Sequence, residues 1–191
     1  MKRIIAVFLA LVMVVPLVAQ DGDTKDERYN GQFSGIVEMG YTYGSYQREI
    51  SHQMKLAKLR AIFTYQYTPS ISFGIGTGIY LKHDRNLLFD GEEPIIPFFL
   101  DFRVFRKKPR FSPYASLDIG YSLIGEDFGS VNFSGLGLYI NPNAGISYFI
   151  NEKLAMNIAL GYDLQRMRYS GWGYDYSVNS HGVSIIIGIT F

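Results

Sequence analysis

The sequence predicts an all-β chain, folded as an eight-stranded antiparallel up-and-down transmembrane β-barrel. Three observations carry this expectation. Apolar and small or polar side chains alternate with a period of two through eight segments, which is the pattern of strands with two unlike faces. Connections between the segments alternate short and long. Aromatics are abundant but unevenly chosen, with 15 tyrosines and 14 phenylalanines against one tryptophan, as expected of rings gathered at two membrane interfaces.

The last segment is the clearest. Val183, Ile185, Ile187, Ile189 and Phe191 share one face, while Gly182, Ser184, Gly188 and Thr190 share the other, with Ile186 the exception. A soluble edge strand this apolar invites aggregation. In a membrane barrel the same strand turns its apolar face to lipid and closes against strand one. Ile187, Ile189 and Phe191 are therefore expected to form a C-terminal assembly signal, read by the outer-membrane assembly machinery.

The chain begins with Lys2 and Arg3, followed by an apolar run over 4–19 interrupted only by Pro16. The run is shorter than the about 20 residues a spanning helix needs and has the layout of a secretory signal peptide. Cleavage is expected after Ala19, give or take a residue, because Leu17 is bulky for its position. Residues 1–19 are thus read as signal peptide, 20–31 as a polar, aperiodic periplasmic tail, and 32–191 as the outer-membrane barrel. Without the signal, sixteen basic residues face seventeen acidic ones. Such a balance argues against nucleic acid as a partner. The absence of cysteine excludes disulfides, thiolate metal sites and a cysteine-borne lipid anchor.

Strands are predicted at 32–43, 54–67, 70–82, 95–106, 112–123, 137–149, 153–165 and from about 178 onward. An even number suits a single-chain barrel. Tight turns are expected at 68–70, 107–110 and 151–152, where Pro, Asn and Lys cluster. Longer loops are expected at 44–53, 83–94, 125–136 and 166–177. Short periplasmic turns and long extracellular loops would place both termini in the periplasm of a Gram-negative bacterium. A soluble ligand-binding barrel would reverse the faces, with apolar residues inside and polar ones outside.

The stretch Ile96-Pro97-Phe98-Phe99-Leu100-Asp101-Phe102-Arg103-Val104-Phe105, then Phe111-Ser112-Pro113-Tyr114 and Gly120-Tyr121, resembles the outer-membrane protein β-barrel domain family. So do Tyr65-Gln66-Tyr67-Thr68-Pro69, Phe73-Gly74-Ile75-Gly76-Thr77-Gly78 and the terminal Gly188-Ile189-Thr190-Phe191. The resemblance covers most of the barrel segment. It implies a small barrel of the OmpA, OmpX or OmpW type and brings no catalytic residues with it.

Inward positions carry charges of both signs: Glu38 and Arg60 on strands one and two, Asp101, Arg103 and Asp118 on strands four and five, and Asp163 on strand seven. Buried charges need partners. A polar lumen network is therefore expected, with Arg60 paired to Glu38 and Arg103 to Asp118 or Asp101. Inward glycines on strand three would leave room for the arginines. The glycines at 74, 76 and 78 are spaced two apart, unlike a nucleotide-binding loop. Tyr169, Trp172, Tyr174 and Tyr176 make the last loop resemble an adaptable recognition surface, or else an extended aromatic girdle. Loop carboxylates such as Asp84, Glu92 and Asp127 read as a solvated face, and His52, His83 and His181 show no metal-ligand spacing. No metal and no cofactor is expected.

Three functions remain in view. The first is a non-enzymatic structural or interaction barrel, monomeric, whose loops meet a partner and whose surroundings are outer-membrane lipids and lipopolysaccharide. The second is a narrow channel or an uptake barrel for small apolar ligands. The third is a lipid A-modifying enzyme. The last needs a serine beside His181, and along its own strand the lipid-facing neighbours are Asn179 and Val183.

Overall fold

The computed structural model describes residues 31–47, 51–82, 94–106, 110–125, 133–151, 154–171 and 174–191. Eight strands follow one another as β1 (Gln32–Gln47), β2 (Ser51–Thr68), β3 (Ile71–Lys82), β4 (Pro94–Phe105), β5 (Phe111–Gly125), β6 (Phe133–Phe149), β7 (Ala155–Gly171) and β8 (Tyr174–Thr190). Each is antiparallel to its sequence neighbour, and β8 closes on β1. Closure is completed at the chain end, where Gly35 and Phe191 exchange backbone hydrogen bonds of 2.8 and 2.9 Å.

The register sets the diameter. Partners followed round from Val37 run through Ala61, Thr77, Phe98, Tyr121, Leu138, Arg166 and Asn179 and return to β1 at Gln47, ten residues further along. This stagger tilts the strands. Eight strands leave an interior that side chains fill.

Every strand sorts its side chains as the period-two pattern predicts. Phe63, Ile75, Leu100, Ile119, Leu160 and Ile185 point outward and are exposed. The last segment behaves as predicted, with Ile186 buried inside between exposed Ile185 and Ile187. Outward aromatics cluster near the end where β1 starts and β8 stops, called here the terminal end. Phe33 stacks on Phe63 at 5.2 Å, Phe73 lies 5.3 Å from Phe102, and Phe111 lies 5.0 Å from Tyr148. Toward the opposite, far end, Tyr41, Tyr43 and Tyr121 are exposed on the same outer surface. Such paired belts suit a wall that is apolar between two wet interfaces.

Side chains hold the described parts of two terminal-end turns. At the β2–β3 turn the Gln66 amide donates to the carbonyls of Thr68 and Ile71 at 2.6 and 3.3 Å. Before β7 the Leu154 N–H donates to the Asn151 side chain at 2.8 Å. At the far end the strands outrun the predicted segments. β1 continues to Gln47, β2 starts at Ser51, β6 starts at Phe133 and β7 runs to Gly171. Three of the four expected long loops are therefore shorter than the sequence suggests. The segment read as a loop over 166–177 is largely a paired ladder, with Tyr169 opposite Tyr176 and Gly171 opposite Tyr174. The hydrogen-bonded ladder continues beyond the apolar band, and there the hydrophobic period that marks a strand in sequence disappears. The predicted signal peptide, most of the tail and the loop residues 83–93 lie outside the described residues.

Inward packing of β4 against β5 depends on Gly120. A Cβ at this position would lie 1.9 Å from the Phe98 carbonyl oxygen and 2.6 Å from the Phe99 Cα. Gly120→Ala is expected to destabilise the folded barrel by about 1–3 kcal/mol through overpacking. Ser122→Ala, two residues along on the same face, is expected to cost less than about 1 kcal/mol because its hydroxyl has no partner. Urea unfolding in lipid vesicles measures both.

Candidate functional site

The lumen is the only place in the described structure where charged side chains are gathered and buried. Glu38, Arg60 and Gly188 lie in one register row, since Arg60 and Gly188 flank Glu38 on either side. Gly188 makes room for the carboxylate: a Cβ there would sit 2.5 Å from Glu38 Cγ. The Arg60 guanidinium, 2% exposed, then crosses the lumen. Its Nε donates to Glu38 at 3.0 Å, with Nη2 also on that carboxylate, while Nη1 reaches Asp118 at 2.6 Å, Asn141 at 3.2 Å and the Tyr139 hydroxyl at 3.3 Å. One side chain thus ties β2 to β1, β5 and β6.

Arg103 makes the second brace. Its Nε donates to both oxygens of Asp101 at 2.9 and 3.0 Å, and its Nη2 to Glu38 at 3.0 Å. Glu38 therefore sits between two arginines. Each guanidinium also lies over a ring, Arg60 over Phe99 at 5.4 Å and Arg103 over Tyr114 at 5.5 Å. Rings of this kind supply weak cation–π attraction in place of lost water.

A separate ion pair lies closer to the far end. Lys58 meets Asp163, which also accepts from the Thr42 hydroxyl at 2.7 Å. Lys58 stands 5.1 Å from the Tyr80 ring, and the Tyr80 hydroxyl donates to Tyr139 at 2.9 Å. Above this layer Met54, Leu56, Ile95 and Ile124 are buried together, with Tyr46 packed on them. Below the arginines the lumen opens at the terminal end into a vestibule of about 440 Å³, with Arg103 at its floor and Ser34, Thr64, Ser112, Ser147 and Asn157 among its walls.

Buried apolar side chains line the lumen from several strands, Leu56 and Ile62 on β2, Ile95 and Phe99 on β4, Ile124 on β5 and Tyr139 on β6. The buried polar atoms without a hydrogen-bond partner, among them Asp118 Oδ1, Asn141 Nδ2, Asn143 Oδ1, Asp163 Oδ1 and Gln165 Nε2, all belong to β5–β8. Ordered water is the usual partner of such atoms in a polar cavity.

The structure brings Glu38, Arg60, Asp101, Arg103 and Asp118 into one network and leaves Asp163 in a separate pair. Asp118 goes to Arg60, and Arg103 takes Asp101 and Glu38. Lys58, Thr42 and Tyr139 were not singled out by sequence. Lys58 was legible in principle, because it lies two residues from Arg60 and therefore on the same face. Tyr139 and Thr42 were not, since their roles depend on strands meeting across the lumen. Ile187, Ile189 and Phe191 all face outward and are exposed. Tyr169, Tyr174 and Tyr176 stand on paired strand positions rather than in a loop, and Trp172 lies outside the described residues.

His181 faces outward near the far end, and the serine missing from the outward positions next to it on β8 is supplied by β1. Ser45 of β1 pairs with His181 in register, and its hydroxyl lies 3.4 Å from His181 Nε2. Reading along one strand missed this contact. No carboxylate is placed against the ring among the described residues; its other neighbour is Tyr162, at 6.3 Å between centroids. The pair lacks the orienting third group of an activated nucleophile.

No family model matches the chain, and neither does any curated protein. Solved structures do match. Neisserial surface protein A superposes with a TM-score of 0.54 over 83% of this chain and 97% of that one, at 14% identity. The outer membrane protein AlkL, determined in lipid bilayers, gives 0.53 over 90% and 95% at 12% identity. OprG of Pseudomonas aeruginosa gives 0.50 over 85% and 97% at 15% identity. The chain therefore has the fold of the small eight-stranded outer-membrane barrels, the class that its resemblance in sequence implies.

Arg60→Ala strips Asp118 of its only ion-pair partner among the described residues and is expected to cost about 3–5 kcal/mol. Adding Asp118→Asn should recover more of that loss than adding Glu38→Gln, because Glu38 keeps Arg103. Equilibrium unfolding of the single and the two double variants measures the difference.

Proposed function

We propose that this chain is an integral barrel of the outer membrane of a Gram-negative bacterium, non-catalytic, with both termini in the periplasm and the far end outside. Its role is structural or interactive, exercised through the far-end strands and their connections rather than through the lumen. The observation that carries this reading is the sealed interior: two arginine braces and a lysine–aspartate pair fill the middle, and Met54, Leu56, Ile95 and Ile124 close the far side. Lipids and lipopolysaccharide surround the barrel. The far-end tyrosines at 169, 174 and 176 are the contact candidates for a partner, together with Trp172.

A second reading is a narrow path or uptake barrel. The vestibule and the polar strip on β5–β8 favour it. Conductance separates the two. Purified protein in a planar bilayer is expected to carry no steady current, since ion pairs fill the middle of the lumen and buried apolar side chains fill its far side. A stable ion-selective current would move the assignment to the channel.

In this reading β8 carries the assembly signal recognised by the insertion machinery. Ile187→Arg places a charge on the lipid face and is expected to cost about 2–4 kcal/mol and block insertion. Thr190→Ser keeps the hydroxyl that accepts from Asn157 at 2.8 Å and should insert normally. Heat-modifiable gel migration of membrane fractions reads both outcomes.

A further inference from the structure

The outer wall changes character near the far end, and it does so on one side only. On β7 the outward residues run apolar through Met156, Ile158, Leu160 and Leu164, then become Arg166 and Arg168, both exposed. On β8 Val183, Ile185, Ile187 and Ile189 give way to His181 and Asn179. In register, Arg166 stands opposite Asn179, and His181 opposite Ser45 of β1. Lys55 extends the basic arc onto β2, opposite Tyr43. On the adjacent strand β6 the outer face stays apolar at this level, where Leu136 and Leu138 pair in register with Arg168 and Arg166.

Among outward positions whose side chains are described, no strand carries a carboxylate. Neither Arg166 nor Arg168 has an ion-pair partner among the described residues. The lumen treats its arginines in the opposite way and pairs each of them twice. Two guanidinium groups two residues apart on one strand face are about 7 Å apart along the strand. A tetrahedral phosphate bridges such a pair by charge-assisted, bidentate hydrogen bonds. Directly beneath and beside the arginines lies apolar wall suited to acyl chains.

We propose that Arg166 and Arg168 form a binding site for the phosphate of an outer-leaflet glycolipid of the lipopolysaccharide type, with His181 and Asn179 completing its polar rim. Acyl chains lie against the leucines below. This proposal rests on the placement of the far end outside, as read in the preceding section, and names the lipid chemistry recognised there.

The test uses the full barrel, folded in phosphatidylcholine vesicles containing either phosphorylated lipopolysaccharide or the same glycolipid with its phosphates removed. Glycolipid retained per barrel is read by native mass spectrometry for the unmodified protein, R166Q/R168Q, R166K/R168K and, as a control at the opposite end, R106Q. Each juxtamembrane cation is worth about fivefold in binding to an anionic surface, so the double glutamine variant should retain about 25-fold less phosphorylated lipid. The lysine pair should retain an intermediate amount and R106Q as much as the unmodified protein. The lysine pair also keeps the test open should R166Q/R168Q fail to fold. Equal retention of the two glycolipids, or a loss no greater in R166Q/R168Q than in R106Q, overturns the site. Full displacement by millimolar inorganic phosphate overturns the lipid as its ligand. A barrel that fails to insert in any variant overturns the membrane reading itself, whereas one that inserts and ignores phosphate overturns only the glycolipid site.

Discussion

Closure of the strand ladder between β1 and β8 is the constraint on which the remainder of this structure depends. A spanning backbone has no water to satisfy its N–H and C=O groups, so every strand must be paired on both sides. Here the last pairing is made at the chain end, by Gly35 with Phe191. Closure removes the edges and leaves each strand with one face outside and one inside. The outside is free to be apolar along its length. The inside becomes a tube only as wide as eight strands permit, and whatever polar groups the sequence places there must satisfy one another.

This constraint explains the form of the ionic network. Arg60 and Arg103 cannot reach bulk water sideways through the wall, so Arg60 draws on carboxylates of β1 and β5, and Arg103 on Asp101 of its own strand and Glu38 of β1. Together Glu38, Arg60, Asp101, Arg103 and Asp118 tie β1, β2, β4 and β5, and Asn141 and Tyr139 bring in β6. Buried ion pairs contribute little net stability compared with well-packed apolar residues, but breaking one is costly. Their effect is on register. A slip of one residue in β2 would turn Lys58 and Arg60 outward and leave Asp163 and Asp118 without cations, while Glu38 would keep only Arg103. The network therefore penalises misregistered barrels more than it stabilises the correct one.

A filled centre leaves the ends and the outer wall as the barrel's open surfaces. The far-end strands extend beyond the apolar band, and their outer face is unevenly charged around the circumference. At the terminal end the vestibule stops at the Arg103 braces. The Ser45–His181 contact shows how neighbouring strands assemble polar pairs on the outer wall, although this one lacks a group to orient the imidazole.

Alternation of side chains determined most of the fold from sequence alone, because a strand has a period of two and a barrel wall keeps one face apolar along every strand. Ile186 inside β8, the outward set from Val183 to Phe191, and the inward charges Glu38, Arg60, Asp101 and Arg103 were all legible in this way. Local turn chemistry located the tight connections. Three things required the tertiary structure. The far-end strand lengths did, because hydrogen bonding continues where hydrophobic alternation has stopped. The partners of each charge did, because Asp118 and Arg60 meet across the lumen through a stagger of ten residues that no local pattern encodes. The pairing of Ser45 with His181 did as well, since cross-strand neighbours are fixed by register and lie 136 residues apart in the chain. Sequence specifies which way each side chain points; only the closed, tilted sheet decides what it points at.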